Sequence, residues 1–302
     1  MDKPYILHML TSEKNLSPFD VNMAYDAGWN VVAPYTNIHA TDIQSLVQDA
    51  IFSRGPTGVK RTGIFLGGRD MQQSLEMLTL CKDSMVPPFE VSVFADPSGA
   101  FTTAAGMVAK VEQALKNIDN LTLQDKTIIV LGGTGPVGST AAMIAAKEGA
   151  KVIIMGRQKE KCQATVELCN TLINDSAKNI SAEKNDNLDS IIDKVDVVFA
   201  AAAAGIQLLT ESQMKKAAKL IVAADVNAVP PSGIFGLDVM SDMAPLGEAP
   251  SKTVGIGALA IGNVKYQTQH TLLKQMKETE KPVYYHYEDA FEAAQAYVHK
   301  KS

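Results

Sequence analysis

Short apolar runs alternate with amphipathic segments of helical periodicity through the first third of the chain. The runs predict strands and the segments between them predict helices, since apolar residues recur with a different period in each. The predicted strands are 5–10, 30–35, 61–67 and 89–95, and the predicted helices are 18–27, 41–53, 71–82 and 101–115. Strands that alternate with helices in this way are typical of a parallel sheet covered on both faces.

The same alternation resumes after a polar segment at 117–124. Strands are predicted at 127–131, 151–155, 179–182, 196–200 and 219–224, and helices at 139–148, 258–277 and 287–300. The polar segment marks a domain change, and we expect the last helix to return to the first domain. The predicted fold class is therefore α/β with two domains, an N-terminal parallel α/β domain (1–120 with 278–302) and a second domain (121–277).

The second domain opens on a strand that ends in a glycine-rich turn. Gly133, Gly135 and Gly138 complete the spacing G-x-G-x-x-G, with Thr134, Pro136 and Val137 between them. We expect Gly133 to allow the tight turn, Gly135 to let the backbone approach a pyrophosphate, and Gly138 to let helix pack on strand. The N-terminus of the following helix would offer unpaired N–H groups to the phosphates. This context predicts a Rossmann-type dinucleotide-binding domain.

The tip of the next strand bears on the choice of dinucleotide. A site that prefers NAD usually has Asp or Glu there, whereas Arg accommodates the 2′-phosphate of NADP. Here the segment from Gly156 to Lys161 reads Gly-Arg-Gln-Lys-Glu-Lys, and no acidic residue stands at the first positions after the strand. Arg157 and Lys161 therefore favour NADP, with NAD as a second acceptor. The alternative is a solvated basic helix start.

Composition and charge exclude several classes of partner and site. The 302 residues are long enough for two domains, and a net charge of −5 argues against nucleic acid or an anionic membrane as partner. Three cysteines without C-x-x-C spacing and five scattered histidines predict neither a disulfide framework nor a metal site. No apolar run approaches the ~18 residues of a membrane span, and the start lacks the apolar region of a signal peptide. We expect a cytoplasmic protein.

Ligands of open α/β sheets bind beyond the carboxyl ends of the strands. Asp96 stands at one such end, although it is also a good turn former. Ala201 and Ala202 follow another, where small side chains would let a ribose approach the backbone, or would simply pack tightly. Asp225 and Asn227 follow a third, where the nicotinamide carboxamide needs hydrogen-bond partners. We expect these ends to line one crevice.

Five separated motifs together resemble one enzyme family. They are Leu16-Ser-Pro-Phe-Asp-Val-Asn22, the segment from Pro87-Pro-Phe to Phe94-Ala-Asp-Pro-Ser-Gly99 with Thr102-Thr103, Leu131-Gly-Gly-Thr-Gly-Pro-Val-Gly138, Ala224-Asp-Val-Asn-Ala-Val-Pro-Pro231, and Val254-Gly-Ile-Gly-Ala-Leu-Ala-Ile-Gly-Asn-Val-Lys-Tyr-Gln267. In this order they resemble the NAD(P)-dependent methylene-tetrahydromethanopterin dehydrogenases of bacterial one-carbon metabolism. The match runs nearly end to end. It looks closer to the branch that accepts both NAD and NADP, although Gly156-Arg157 is similar to the tip of the strictly NADP-dependent branch.

The resemblance implies hydride transfer from a methylene-bridged reduced pterin to the nicotinamide, in formaldehyde oxidation, by a homo-oligomer. Phe19 would stack on the pterin or act as a hydrophobic staple. The Asp20 carboxylate would accept hydrogen bonds from the amino-pyrimidine edge of the pterin or lie near its cation. The alternative is a carboxylate in a first helical turn that the helix dipole stabilises. Asp96 completes the predicted catalytic set with Lys265. Ser98, Thr102 and Thr103 would contact the substrate, although capping explains both threonines as well.

Lys265 places a cation on a helical stripe that is otherwise apolar, with Ala258, Ile261 and Leu272. It would grip a pterin carbonyl or orient a carboxylate, and the alternative is a surface lysine whose stem alone is buried. Two other functions stay open. One is the same reaction on methylene-tetrahydrofolate, and the other is a non-catalytic NADP-binding sensor.

Overall fold

A computed structural model describes residues 3–173, 179–247, 249 and 252–300. The strands are β1 (Ile6–Leu10), β2 (Val31–Tyr35), β3 (Thr62–Leu66), β4 (Ser92–Ala95), β5 (Thr127–Leu131), β6 (Lys151–Gly156), β7 (Ile180–Lys184), β8 (Val197–Ala200), β9 (Val222–Asp225), β10 (Asp242–Pro245), β11 (Val254–Ile256) and β12 (Tyr284–Tyr285). The helices are α1 (Pro18–Asp26), α2 (Ile43–Phe52), α3 (Gly55–Val59), α4 (Met71–Asp83), α5 (Ala100–Asp119), α6 (Pro136–Lys147), α7 (Lys159–Leu172), α8 (Leu188–Ile191), α9 (Glu211–Lys216), α10 (Ala258–Glu278) and α11 (Tyr287–Lys300).

The chain forms two compact units. The first contains the residues up to Thr102 together with Tyr266–Ala293, and the second contains Thr103–Lys265 together with the chain from Ala294 onward. These boundaries fall inside α5, α10 and α11, whereas the polar composition at 117–124 placed one boundary after α5. Composition marks where a chain is exposed, and a long helix can belong to two units. The predicted division into functional domains stays a prediction.

The first unit is built on a parallel sheet of order β12-β4-β3-β1-β2. Its centre, β3, is buried along its whole length, which explains the uninterrupted apolar run in the sequence. Leu10 pairs with Leu66 and Leu66 with Ala95, so the carboxyl ends of β1, β3 and β4 stand side by side. Pro34 lies in the edge strand β2, where a missing N–H is tolerated.

The second unit is built on a sheet of order β10-β11-β9-β8-β5-β6-β7, parallel except for the β10–β11 pair. Leu131 pairs with Met155 and Ala200, and Ala200 pairs with Asp225. The ends of β6, β5, β8 and β9 therefore form one continuous edge. The sheet and its helices share a buried apolar core that includes Ile129, Leu131, Met155, Val198 and Ala200. These two sheets confirm the predicted α/β class.

Several predicted elements begin elsewhere. Strand β4 starts at Ser92, because Val86 and Phe89 exchange backbone hydrogen bonds of 3.3 and 2.7 Å in a tight loop before it. Strand β9 starts at Val222, because a turn in which the Leu220 N–H donates to the Ala217 carbonyl at 3.2 Å precedes it. Helix α6 starts at Pro136, three residues earlier than predicted. In the described part of the chain, no helix is long and apolar enough to cross a bilayer.

All three cysteine side chains are expected to resist thiol reagents in the folded protein. Cys81, Cys162 and Cys169 are fully buried, and burial raises the pKa of Cys81 and of Cys169 to about 12. Because the thiolate is the reactive form, these groups stay protonated and unreactive at neutral pH. Titration with a chromogenic disulfide at pH 8 should detect no fast thiol before denaturation and three after it. A fast-reacting native thiol would contradict the burial.

Candidate functional site

The glycine turn after β5 is held from two sides. Gly132 has a φ of +77°, and a Cβ placed there would lie 2.6 Å from the backbone of Ala202, which follows β8. The Gly133 N–H donates to the Met155 carbonyl of β6 at 3.2 Å. The left-handed turn residue is thus Gly132, not Gly133 as the spacing predicted. Gly133 excludes a side chain for another reason, since its Cβ would lie 2.9 Å from Ile154.

The other two glycines have the surroundings that a phosphate cradle requires. A Cβ on Gly138 would lie 2.8 Å from the Gly132 carbonyl oxygen, so this residue allows α6 to pack against the turn. A Cβ on Gly135, the N-cap of α6, would meet only that same oxygen at 3.5 Å. The protein itself therefore leaves space open at Gly135. The first turn of α6 adds N–H groups that have no carbonyl partner within the helix.

A cleft of 580 Å³ extends from this turn across neighbouring strand ends. It brings together five of the predicted cofactor residues, namely Thr134, Gly135, Arg157, Ala201 and Ala202. A second cleft of 290 Å³ adjoins it and is lined by Thr134, Arg157, Gln158 and Lys161. Arg157 and Lys161 are both exposed. The volume lies in the range of small-molecule and cofactor sites, and two cations flank one end of it.

Asp225 and Asn227 shape the loop after β9. Asp225 is 2% exposed; its Oδ1 accepts from the Asn227 N–H at 2.9 Å and its Oδ2 from the Gly233 N–H at 2.6 Å. Burial raises the pKa of Asp225, and these backbone hydrogen bonds oppose the rise. The Asn227 side chain donates to the Pro231 carbonyl at 3.0 Å and accepts from the Val229 N–H at 2.9 Å. Both side chains thus position the loop, and their contact with nicotinamide stays a prediction.

A separate cleft of 370 Å³ lies in the first unit, beyond the carboxyl ends of β1, β3 and β4. It brings together two of the predicted substrate residues, Asp20 at the start of α1 and Ser98, whose φ is +53°. Its lining also includes Lys14 and Arg69, both exposed. The strand-end rule locates this cleft, but no sequence pattern selects Lys14 and Arg69, since both stand in polar loops.

Asp96 is fully buried and fixes the start of α5. Its Oδ1 accepts from the N–H groups of Phe101 and Thr102 at 2.9 and 3.2 Å, and its Oδ2 accepts from the Thr102 hydroxyl at 2.7 Å. The catalytic role predicted for Asp96 finds no support in this geometry, nor does a substrate contact for Thr102, which is also fully buried. Thr102 caps, as the alternative interpretation held, and Thr103 is half-buried.

The remaining predicted residues lie on α1 and α10. Asp20 is 2% exposed, and its Oδ1 accepts from the Gln269 side-chain amide at 2.8 Å. Phe19 is 41% exposed and Lys265 is half-buried, while Ala258, Ile261 and Leu272 are buried as the stripe predicted. Gln269 had no signal in the sequence beyond its place on α10. The catalytic roles of Phe19, Asp20 and Lys265 stay predictions.

The second unit thereby falls in the class of Rossmann-type α/β proteins, in which a dinucleotide lies across the carboxyl ends of the strands. Two family models match the chain in turn. The N-terminal part of methylene-tetrahydromethanopterin dehydrogenase matches residues 18–98, and shikimate/quinate 5-dehydrogenase matches residues 112–231. Among solved structures, quinate dehydrogenase from Corynebacterium glutamicum in complex with NAD is similar, with a TM-score of 0.56 and 12% identity over 97% of this chain and 99% of that one. At this identity the likeness shows the fold alone.

Two full-length relatives come from Methylorubrum extorquens. The NAD(P)-dependent methylenetetrahydromethanopterin dehydrogenase of that organism is 44% identical over 290 residues, which are 96% of this chain and 97% of the relative. The bifunctional protein MdtA is 30% identical over 92% of this chain and 94% of its own length. The chain belongs to the family of NAD(P)-dependent methylenetetrahydromethanopterin dehydrogenases. The resemblance noted in the sequence is confirmed.

Proposed function

We propose that this protein is an oxidoreductase that transfers hydride from methylene-tetrahydromethanopterin to NADP, with NAD as a second acceptor. The product is the methenyl pterin. The observation that carries the proposal is the 44% identity over 96% of the chain to a relative whose name states this substrate and this cofactor class. A relationship of this length includes both the glycine turn and the cleft of the first unit.

The residues present fit a dinucleotide. Gly135 leaves open the space that a side chain would fill, and the adjoining helix N-terminus favours an anion there. Ala201 and Ala202 line the β8 end of the cleft with small side chains, which leave room for a ribose to approach the backbone. Arg157 and Lys161 supply positive charge at the end of β6, which supports NADP over NAD. When bound, the nicotinamide supplies the hydride acceptor.

The cleft of the first unit is proposed to hold the pterin. The Asp20 carboxylate at its wall can accept from the amino-pyrimidine edge, and Gln269 holds that carboxylate in place. Phe19 is exposed beside it in the chain and offers a ring face for stacking. Ser98 adds a hydroxyl in the same cleft.

The reaction asks little of acids or bases. The carbon that loses hydride stands between two nitrogens, so the resulting cation is delocalised without removal of a proton. The contribution of the chain is then to hold two rings in reacting orientation and to supply charges that suit a cation. The Asp20 carboxylate has the sign that stabilises a cation, whereas the Lys265 ammonium suits a carbonyl or carboxylate partner.

A steady-state assay with methylene-tetrahydromethanopterin or methylene-tetrahydrofolate, each with NADP or NAD, tests the proposal. The rise in absorbance of the reduced nicotinamide should be fastest with the methanopterin substrate and NADP. Much faster turnover of the folate substrate would overturn the choice of pterin. NADP binding in calorimetry without turnover of either pterin would instead support the non-catalytic sensor.

Replacing Gly135 with Ala is expected to weaken NADP binding at least tenfold while leaving the fold intact. The new methyl group meets no protein atom closer than 3.5 Å, so it occupies the space proposed for the pyrophosphate. Calorimetric Kd values and thermal unfolding measure the two effects. Gly262→Ala is the control, because its Cβ meets nothing within 4 Å on α10 and should raise stability by up to about 1 kcal/mol. Unchanged NADP binding in Gly135→Ala would argue against the phosphate assignment.

The cellular setting belongs to the same proposal. We infer a cytoplasmic homo-oligomer that acts in formaldehyde oxidation, as the family resemblance implies. Light scattering coupled to size exclusion measures the oligomeric state, and a mass equal to the 32.3 kDa chain would contradict the oligomer.

A further inference from the structure

The 580 Å³ cleft extends beyond the glycine turn after β5 and beyond Arg157 after β6, as far as the end of the next strand, β7. In the sheet, β6 lies between β5 and β7, and Gly156 pairs with Lys184 at their ends. Asn185 and Asp186, directly after β7, line the same cleft as Gly135 and Arg157. Since neighbouring strands are about 4.8 Å apart, Asn185 lies roughly 10 Å across the sheet from the turn.

This order of strand ends matches the order of groups in the proposed cofactor. The pyrophosphate is assigned to the turn after β5, and the 2′-phosphate of the adenosine ribose to Arg157 after β6. The base attached to that ribose then continues in the same direction, toward the end of β7. Apolar side chains suited to the faces of a base line the same cleft, and they include Leu188 after β7 and Ile206 after β8. Ile206 is 49% exposed, so a base would also cover exposed apolar surface.

The side-chain oxygen of Asn185 has no hydrogen-bond donor in the protein, and the amino group of an adenine base could supply one. This Oδ1 is enclosed and accepts no hydrogen bond. Nearby, the Asn187 side-chain amide donates to Glu183 at 2.6 Å, which holds the pKa of Glu183 below its usual value. The terminal torsion of a carboxamide is soft, so Asn185 can turn its oxygen toward the cleft. An Asn carboxamide matches adenine with both ends, because it accepts from the 6-amino group and donates to a ring nitrogen.

We propose that Asn185 recognises the 6-amino group of the adenine of the bound dinucleotide. The inference rests on the proposed function for the presence of the cofactor, and it adds the residue that distinguishes adenine from other bases. A cofactor with hypoxanthine presents a carbonyl oxygen where adenine has the amine. The O6 and N7 atoms of hypoxanthine are both acceptors, so a carboxamide that turns to donate to one of them leaves its own oxygen without a donor, and one of the two hydrogen bonds is lost.

The test compares NADP with its hypoxanthine analogue, deamino-NADP, by calorimetric Kd and by kcat/KM. The wild-type protein should bind NADP about tenfold more tightly than the analogue, a ratio that one such hydrogen bond supplies. Asn185→Ala should bind both with nearly equal Kd. Asn187→Ala is the matched control, since its side chain bonds Glu183, and it should keep the tenfold ratio.

Each outcome decides one question. Equal affinity of the wild-type protein for the two dinucleotides, or a ratio that survives in Asn185→Ala, would overturn the role of Asn185. Binding of NADP with the expected ratio but without turnover would leave Asn185 supported and count against the proposed reaction. Thermal unfolding of Asn185→Ala close to that of Asn187→Ala would show that lost discrimination does not arise from a damaged fold.

Discussion

Arg157→Ala is expected to raise the KM for NADP by about 10- to 100-fold and to change the KM for NAD little, because a hydrogen bond to a charged group contributes about 1.5–3 kcal/mol. Arg157 is exposed at the end of β6 and lines both clefts of the nucleotide region. The guanidinium therefore has a partner in NADP, the 2′-phosphate, that NAD lacks. Initial rates with each cofactor measure the effect.

Lys159→Ala is the matched control for this prediction. It removes the same charge two residues further along, at an exposed position on α7 outside the described linings of the two clefts. It should shift the KM for NADP much less than Arg157→Ala does. Equal losses with NADP and NAD in Arg157→Ala would show that Arg157 supports the shape of the cleft and does not recognise the phosphate.

Asp96→Ala is expected to destabilise the protein by about 3–5 kcal/mol. The carboxylate is fully buried and accepts from two backbone N–H groups and from the Thr102 hydroxyl. In Asp96→Ala the two N–H groups would lose this acceptor, whereas the hydroxyl keeps the Gly99 carbonyl at 3.3 Å. Buried donors without an acceptor cost about 1–3 kcal/mol each, partly offset by relaxation. Urea unfolding followed by circular dichroism measures the change.

Two further variants separate a structural role of Asp96 from a catalytic one. Asp70 caps α4 through one hydrogen bond, to the Gln73 N–H at 2.9 Å on the surface, so Asp70→Ala should cost only about 1 kcal/mol. Asp96→Asn keeps an oxygen for the backbone donors and should retain turnover close to the wild-type value. A stable Asp96→Asn protein with turnover abolished would restore the catalytic role that the sequence predicted.

The sequence predicted best those elements whose physics is local. Strand β5 and the turn after it could be found because a buried parallel strand is an apolar run and because the turn needs glycines. Strand β10 could not, since Asp242–Pro245 is a mostly exposed edge strand with no alternation of apolar and polar residues. The two-residue strand β12 pairs with β4, which lies far from it in the sequence. A pairing between distant segments leaves no periodic pattern in the sequence, so β12 could not be predicted either.

The candidate site residues also fall into those that sequence position reveals and those that depend on three-dimensional contacts. Strand-end positions led to Arg157 and Ala201, because the carboxyl ends of parallel strands meet at one edge, whereas Asp20 was selected through the family motif that contains it. The same rule selected Asp96, Asp225 and Asn227, and it could not show that their side chains bond their own loops. Asn185 was not selected because it stands in the polar run from Glu183 to Asn187, where the sequence does not distinguish one amide side chain from another. Which amide lacks a partner depends on three-dimensional packing.

The phosphate cradle is held by β8, through the contact between Gly132 and Ala202, and by the Met155 carbonyl of β6, whereas Arg157 and Lys161 lie beyond the end of β6, in the loop and in the first turn of α7. The preference for NADP or NAD can therefore be changed by replacing the segment 157–161. The phosphate cradle, which binds the pyrophosphate common to both cofactors, stays as it is. Proteins with this architecture can therefore change between NADP and NAD during evolution through a few substitutions in one surface segment, while the glycine turn that binds the pyrophosphate is conserved.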